Sequence, residues 1–365
     1  MNSGSGQPQQ PGSGQPQQPV THMRAEILEQ PAVLRDTIEA LLPRAKEVAS
    51  LARQARHVLF FARGTSDNAA VYGTYLLQTR TGRLASLGSP SVATTYKASI
   101  DLSGVLAVGL SQSGRTEEIV ETLQWARDCG ASVVSITNGA GSPLAEMADI
   151  ALLTQAGTER AVPATKTFTC QLAALAVLAI GLGAELDQGL LRQLPDVIAE
   201  LLERATAPGY GIADVAGDLA MVDGLVVSAR GLAYSAALEV ALKIKEACYL
   251  HAMGISYADL QHGPIAVVST RTPALIMAAD SGPTLDAAVG LAKRVTDAGA
   301  RAYAIGGGEP LAQVSSRALA GPRLPEWLAP IGLIVPGQLL TEELSRRLGI
   351  DPDNPRGLSK VTQTS

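Results

Sequence analysis

A buried strand that ends in a hydroxyl-rich turn constrains this chain more than any other stretch. Residues 105–110 (VLAVGL) form an apolar run, residues 111–116 (SQSGRT) follow, and a helical pattern begins directly afterwards. The first amides of a helix have no acceptor within the helix and lie at the positive end of its dipole, so such a turn can bind an anion. Gly114 is expected to let the backbone approach that ligand closely. We predict a phosphate site here, although an ordinary serine-capped turn has the same pattern. The hydroxyl donors are Ser111, Ser113 and Thr116.

A second turn of the same kind occurs earlier in the chain. Residues 57–62 have the pattern of a strand, residues 63–67 (RGTSD) form the turn, and a helix is predicted through Leu77. Doubly wound parallel sheets bind ligands at the carboxyl ends of their strands. The two turns are therefore expected to face one phosphosugar from adjacent strands.

Alternating strand and helix patterns predict an α/β fold with a parallel sheet between two helical layers. One amphipathic helix is predicted over residues 26–55 and an apolar helix over 171–182. A connecting helix pair, interrupted by Pro195 and Pro208, is expected within residues 185–217. Further strands are predicted at residues 132–137 and 150–154.

The pattern then restarts, which indicates a tandem duplication. Residues 225–229 are predicted to form a strand, 230–235 its turn and 236–250 a helix, with more strands at 274–279 and 302–305. We expect the following units: a disordered Gln/Pro/Gly tract at 1–22, a first domain at 23–200, a second domain at 201–350 and a C-terminal tail at 351–365. Residues 4–11 and 12–19 of the tract are identical, and they contain nothing to bury.

Charge and cysteine content narrow the function classes. The formal net charge is -5 and no run of basic residues occurs, which disfavours nucleic acid as a partner. No apolar run is suited to crossing a membrane, and the N-terminus has no apolar signal-like stretch. The chain is therefore expected to be cytoplasmic. The three cysteines are expected to be free thiols, since they are odd in number and far apart: Cys129, Cys170 and Cys248.

Three charged residues share one face of a helix that is otherwise apolar. Glu239, Lys243 and Glu246 are spaced i, i+4 and i+7, which is equally consistent with a salt-bridged surface stripe. His262 lies in a turn fixed by Gly263 and Pro264, where a histidine is more often structural than catalytic. Lys360 near the C-terminus would ordinarily be a solvated side chain.

Six motifs stand in the order found in tandem sugar isomerase (SIS) domain proteins, and the chain resembles that family from Met23 onwards. Their pattern resembles that of the isomerase half of glucosamine-6-phosphate synthase. The resemblance implies two tandem three-layer αβα domains, each with a flavodoxin-like parallel sheet. The motifs are RGTS at 63–66, SQSGRT at 111–116, AGTE…TKTFT at 156–169, ALEVALKIKE at 237–246, QHGP at 261–264 and DNPRGLSK at 353–360.

The resemblance also implies roles for individual residues, without metal or cofactor. Glu246 would move a proton between C1 and C2 of the open-chain sugar, and His262 would open the sugar ring in the site of a neighbouring subunit, so a homodimer is implied. Lys360 would form a Schiff base with the ketose, or hold the C-terminal loop over the substrate. Phosphate and hydroxyl contacts would come from Thr65, Ser66, Ser111, Gln112, Ser113 and Thr116, with Glu239, Lys243 and Val162 in support.

The family resemblance predicts an amino sugar 6-phosphate deaminase that forms fructose 6-phosphate and ammonia from glucosamine 6-phosphate. We expect the deaminating direction because the glutaminase domain that begins the synthases is not found in this sequence. Alternatives are a lyase on an N-acetylated amino sugar phosphate, another phosphosugar deglycase, and a phosphosugar sensor without catalysis. Three departures from the synthase pattern leave the amino sugar open: Arg63, Arg115 and Pro163-Ala164.

Overall fold

The computed structural model of the chain describes residues 20–360. The repeated tract at residues 4–19 and the last five residues of the predicted tail lie outside the described residues. Within the described part, the tail from Asp351 onwards contains no helix, as its prolines predict.

Two five-stranded parallel sheets form the centre of the described chain. The first has the order β2-β1-β3-β4-β5 and the second the order β10-β9-β8-β6-β7. Counted within its own half, each sheet has the order 2-1-3-4-5, which is the flavodoxin-like topology. The predicted fold class and duplication are thereby confirmed. The strands are β1 His57–Phe61, β2 Leu84–Leu87, β3 Val105–Leu110, β4 Ser132–Thr137, β5 Ile150–Leu153, β6 Gly224–Ala229, β7 His251–Ser256, β8 Ala274–Ala278, β9 Ala302–Gly306 and β10 Arg317–Leu319.

Helices cover both faces of each sheet. Short 3-10 turns lie at Leu42–Arg44, Ala52–Gln54, Gly231–Ala233 and Pro264–Val267. The α-helices are α1 His22–Leu28, α2 Gln30–Leu41, α3 Ala45–Leu51, α4 Thr65–Thr81, α5 Pro90–Thr94, α6 Glu117–Asp128, α7 Pro143–Met147, α8 Lys166–Gly181, α9 Gln188–Thr206, α10 Ile212–Leu219, α11 Tyr234–Cys248, α12 Tyr257–Gln261, α13 Leu285–Asp297, α14 Gly308–Ala312 and α15 Ala329–Arg347.

Prolines divide the predicted N-terminal helix but not the connecting one. The helix predicted over residues 26–55 is three helices, because Pro31 begins α2 and Pro43 lies in the 3-10 turn before α3. Proline fits a first helical turn but cannot continue a helix without losing a backbone hydrogen bond. Helix α9, in contrast, continues through Pro195, so the interruption predicted there is wrong. Its row of buried leucines and Ile198 outweighs the lost bond.

One continuous apolar core joins the two halves of the chain. Helix α8 is buried on nearly every side, and it packs against α4, while α11 packs against both α4 and α15. A helix that is apolar all round belongs in a core, which explains its run of Ala and Leu. The position of the domain boundary near residue 200 stays a prediction. Among the described residues, no helix is both long enough and apolar enough to cross a lipid bilayer.

Candidate active site

A pocket of about 320 Å³ opens at the carboxyl ends of β1 and β3. These strands are neighbours in the sheet, and the strand order changes direction between them, which is where doubly wound sheets bind ligands. The volume suits a small ligand such as a sugar phosphate. The lining residues are Arg63, Gly64, Thr65, Ser66, Leu110, Ser111, Gln112, Ser113, Thr116, Ile119, Val162, Ala164, Lys243, Glu246, Leu358, Ser359 and Lys360.

The turn after β3 is organised by its own hydroxyl groups. The Ser111 hydroxyl accepts a hydrogen bond from the Gly114 amide at 3.2 Å and lies 3.1 Å from the Thr116 hydroxyl. The Ser113 hydroxyl accepts from the Arg115 amide at 3.2 Å. The turn delivers these hydroxyls to the pocket at the start of α6, a helix of 12 residues whose N-terminus favours an anion.

Gly114 has a packing role that was not predicted from the sequence. Its φ is +65°, and a Cβ there would lie 2.0 Å from the Ser142 hydroxyl oxygen and 2.8 Å from that of Thr137. Gly114 does not line the pocket. The packing of the turn against the loop after β4 therefore requires a glycine here, and close approach of a ligand stays a prediction.

The turn after β1 connects the two halves of the chain. The Thr65 hydroxyl donates to Glu239 Oε1 at 2.9 Å and accepts from Lys243 Nζ at 3.1 Å. The Ser66 hydroxyl accepts from Gln171 Nε2 at 2.9 Å, so the central helix α8 fixes it. Arg63, at the mouth of the pocket, donates two hydrogen bonds to Glu118, at 2.9 and 2.7 Å.

Lys243 on α11 lies between two carboxylates. Its Nζ is 3.4 Å from Glu239 Oε1 and also donates to Glu246 Oε2. Burial by itself lowers the pKa of Lys243, but the two carboxylates outweigh it and the pKa is raised. Burial raises the pKa of Glu239 to about 7, against the opposing effect of Lys243. Glu239 is fully buried and does not line the pocket, whereas the side chain of Glu246 is 22% exposed and faces it.

The C-terminal tail covers the other side of the pocket. Lys360 Nζ donates to Glu159 Oε2 at 2.8 Å and to the Ala161 carbonyl oxygen at 2.7 Å. The Val162 amide donates to the Asp353 carbonyl oxygen at 3.1 Å, so the tail and the loop before α8 are joined at both ends.

Comparison with known protein families finds the SIS domain twice in this chain, at residues 51–181 and 218–335. The two matches cover more than half of the chain. The chain belongs to the SIS domain family. This result confirms the resemblance inferred from the six motifs, and each match contains one of the two parallel sheets.

Relatives of this SIS domain protein include a glutamine–fructose-6-phosphate aminotransferase (isomerizing) of Pyrococcus horikoshii. It is 34% identical over 345 residues, which are 93% of this chain and 57% of that protein. The chain thus spans a little over half the length of this curated relative.

Solved structures match the SIS domain protein over nearly its whole length. A Silicibacter pomeroyi protein with a proposed role as a phosphosugar isomerase is 32% identical, with a TM-score of 0.81 over 92% of this chain and 100% of that chain. A glucosamine-6-phosphate deaminase of Thermotoga maritima has a TM-score of 0.78 over 94% of this chain and 100% of that chain. Its 22% identity shows a shared fold alone.

The predicted site residues of the SIS domain protein fall into two groups. The six residues of the two turns, with Val162, Lys243, Glu246 and Lys360, line one pocket, and Glu239 lies directly behind it. His262 does not line this pocket. It is exposed on the loop between α12 and the 3-10 turn Pro264–Val267, where Gly263 has a φ of +127°. The roles of all these residues remain proposals.

Two residues that shape the site had no predicted role: Glu159 holds Lys360, and Asn68 donates to Glu239 Oε2 at 2.8 Å. Ala164, one of the departures from the synthase pattern, lines the pocket. Glu159 belongs to the AGTE motif, so its position in the sequence was apparent. Its partner is 201 residues away, and no spacing rule connects them.

Proposed function

We propose that this SIS domain protein converts an amino sugar 6-phosphate, glucosamine 6-phosphate first of all, into fructose 6-phosphate and ammonia. One observation carries the proposal: the hydroxyl-rich turns of the first half and the Lys243–Glu246 pair of the second half line one pocket. A phosphate anchor and a proton-transfer group are thereby within reach of one small substrate.

The phosphate would bind at the turn after β3. Hydroxyl groups and the N-terminus of α6 stabilise an anion there without a lysine. Glu118 in the first turn of α6 would oppose a phosphate, but the two hydrogen bonds from Arg63 offset its charge. This placement puts the phosphate on the strand side of the acidic residues.

Glu246 would carry out the proton transfer. In the open-chain amino aldose, its carboxylate takes the proton from C2 while the C1 oxygen gains a proton, and an enolamine with a hydroxyl on C1 forms. Return of the proton from the carboxylate to C1, with loss of one proton from the nitrogen, leaves a ketose imine at C2. A carboxylate can perform both halves of this transfer from one position. Lys243 holds the carboxylate in place, and Thr65 and Glu239 hold Lys243.

Hydrolysis of the imine would complete the reaction. Water adds to C2, the C–N bond breaks, and the nitrogen leaves as ammonia while C2 becomes the ketone. One water is consumed for each amino sugar phosphate. Lys360 borders the same pocket and would contact the C2 substituent during this step.

Ring opening would come from His262 of a second copy of the chain. In its own chain this side chain lies on an exposed loop away from the pocket. Neutral imidazole can donate to one oxygen and accept from another near neutral pH, as opening of a sugar hemiacetal requires. The proposal therefore includes a homodimer in which each site receives His262 from its neighbour.

The proposal is tested by incubating the purified protein with glucosamine 6-phosphate and measuring ammonia and fructose 6-phosphate together. Equal release of both, lost in Glu246→Gln and kept in Glu121→Gln, is the expected result. Glu121 is a matched control because it is an exposed carboxylate on α6 that pairs with Lys97. Binding of the sugar phosphate without ammonia release, or full turnover by Glu246→Gln, would overturn the proposal.

A further inference from the structure

Glu159 is a fully buried carboxylate whose surroundings hold it in the charged form. Its Oε1 accepts from the Thr165 amide at 2.8 Å and the Thr167 amide at 3.2 Å, and its Oε2 accepts from the Thr167 hydroxyl at 2.7 Å. Burial by itself raises the pKa of Glu159, but Lys360 and these hydrogen bonds outweigh it, so the pKa is lowered. The carboxylate thus lies at the N-terminus of α8 as an anion, where the helix dipole favours it.

One bond of this carboxylate leaves the helix and reaches the tail. Lys360 Nζ, 2.8 Å from Glu159 Oε2, is the only cation that the described residues place within ion-pair distance of Glu159. The same ammonium donates to the Ala161 carbonyl oxygen at 2.7 Å. These two contacts use two of its three N–H donors. They fix the lysine at the wall of the pocket that it lines.

The loop that carries Glu159 is also held by contacts that do not involve the tail. Glu26 on α1 accepts hydrogen bonds from the Arg160 and Ala161 amides. The tail itself is held at Asp353, whose carboxylate accepts from the His22 and Met23 amides at 2.7 Å each.

We propose that Glu159 is a positioning residue that seats Lys360, and with it the end of the tail, over the pocket. Its catalytic consequence rests on the proposed function, but the seating does not. A carboxylate that only capped α8 would need no cation, whereas this one is bound to the side chain that closes the site. The two contacts also place the Lys360 side chain at the pocket wall, where its third N–H is available to a ligand.

Hydrogen exchange of the full-length protein without substrate tests the seating. The variants are Glu159→Gln, Lys360→Met, both together, and Glu29→Gln. Glu29 is the control because it pairs with another lysine next to this loop, Lys166, which is buried and does not line the pocket. We expect about tenfold faster exchange at the tail amide of Leu358 in both single variants, no further increase in the double variant, and no change in Glu29→Gln. The Arg356 amide, which Tyr249 holds, should be unchanged in all of them.

Two results would overturn the proposal. One is that the tail amides of Lys360→Met and Glu159→Gln exchange at the same rate as those of the unchanged protein. The other is acceleration of the α8 amides to the same extent as the tail in Glu159→Gln, which is the result expected of a helix cap alone. Lys360→Met keeps Glu159 and its hydrogen bonds to the start of α8. Its tail exchange therefore tests the proposal even if Glu159→Gln does not fold.

A kinetic measurement then tests the catalytic consequence. With glucosamine 6-phosphate we expect Glu159→Gln to lower kcat about tenfold with little change in KM, since the proposed phosphate contacts come from the turns after β1 and β3 and not from the tail. Unchanged kcat together with a loosened tail would refute the catalytic role. If the unchanged protein releases no ammonia, the proposed function is contradicted. The hydrogen-exchange result still tests whether Glu159 positions Lys360.

Discussion

The hydroxyl of Thr65 donates to Glu239 Oε1 at 2.9 Å, and the two residues are 174 positions apart. Thr65 begins α4, the first helix after β1, and Glu239 lies on α11, the first helix after β6. The two helices occupy equivalent places in the two halves and pack against each other. The proposed catalytic group is therefore built across the contact between the duplicated units.

Replacement of Thr65 by valine should lower kcat for ammonia release about tenfold, which corresponds to roughly 1.4 kcal/mol of activation free energy. Valine has the same shape, but it neither donates to Glu239 nor accepts from Lys243, so the side chain that holds Glu246 loses a partner. Thr74→Val is the control, because that hydroxyl on the same helix donates to the Ala70 carbonyl oxygen. Equal losses in the two variants would contradict the role of Thr65.

The pH dependence of stability should report on Glu239. Its pKa is about 7 in the folded protein and 4.5 ordinarily, so the folded state binds a proton more tightly than the unfolded state. The stabilisation that Glu239 gains from this proton is fully present below pH 4.5 and is lost as the pH rises through 7. The free energy of unfolding, measured by urea titration between pH 5 and 8, should therefore fall less steeply in Glu239→Gln. An unchanged slope would show that Glu239 does not titrate there.

Gly114→Ala should destabilise the protein by about 2 to 4 kcal/mol, because the new methyl group meets the Ser142 hydroxyl in addition to an unfavourable φ. Gly82→Ala is the matched control: its φ is also +65°, but a Cβ there meets nothing within 4 Å. It should cost about 1 kcal/mol. Urea unfolding of both variants measures the difference, and equal costs would refute the packing role of Gly114.

Tyr249→Phe should loosen the middle of the tail. The Tyr249 hydroxyl accepts from the Arg356 amide at 2.6 Å, and the Arg356 guanidinium lies 4.4 Å above the ring centre. Phenylalanine keeps the ring contact and removes the acceptor, so about 1 kcal/mol should be lost locally. Faster exchange of the Arg356 amide with unchanged exchange in α11 is the expected measurement. Unchanged exchange at Arg356 would mean that the ring contact alone holds the tail.

Mixed dimers should show whether His262 acts across subunits. Equal amounts of Glu246→Gln and His262→Gln chains, each inactive by itself, are unfolded and refolded together. Half of the dimers then carry one intact site of two, so about a quarter of full activity should return. No return of activity, with hybrid dimers shown by native mass spectrometry, would place His262 in the site of its own chain or outside catalysis.

The sequence predicted the interior of the fold better than its edges. Strands such as Val105–Leu110 were predicted at their observed bounds, because buried parallel strands are nearly continuous apolar runs. Three sheet-edge strands were not predicted. Leu84–Leu87 has two exposed residues among four, His251–Ser256 has one buried residue among six, and Arg317–Leu319 is only three residues long. Edge strands bury less, so their residues show little apolar pattern.

Some features of the candidate site could likewise be predicted from the sequence and others could not. The i, i+4, i+7 spacing correctly predicted that Glu239, Lys243 and Glu246 share one helix face. The pairing of Glu159 with Lys360 could not be found in this way, since it depends on how two loops meet after folding. The role of Gly114 was missed for the same reason, because Ser142 approaches from a separate loop.

The three attachments of the tail also limit how a product can leave. Asp353 is bound to the first amides of α1 and Arg356 to Tyr249, so only the segment from Gly357 to Lys360 lies beyond a fixed point among the described residues. Gly357, with a φ of +74°, is a natural hinge for that segment. Four residues reach about 13 Å when extended, enough to uncover a sugar-sized pocket. Breaking the Lys360 ion pair would then open an exit for the proposed product while α1 and the rest of the tail stay folded.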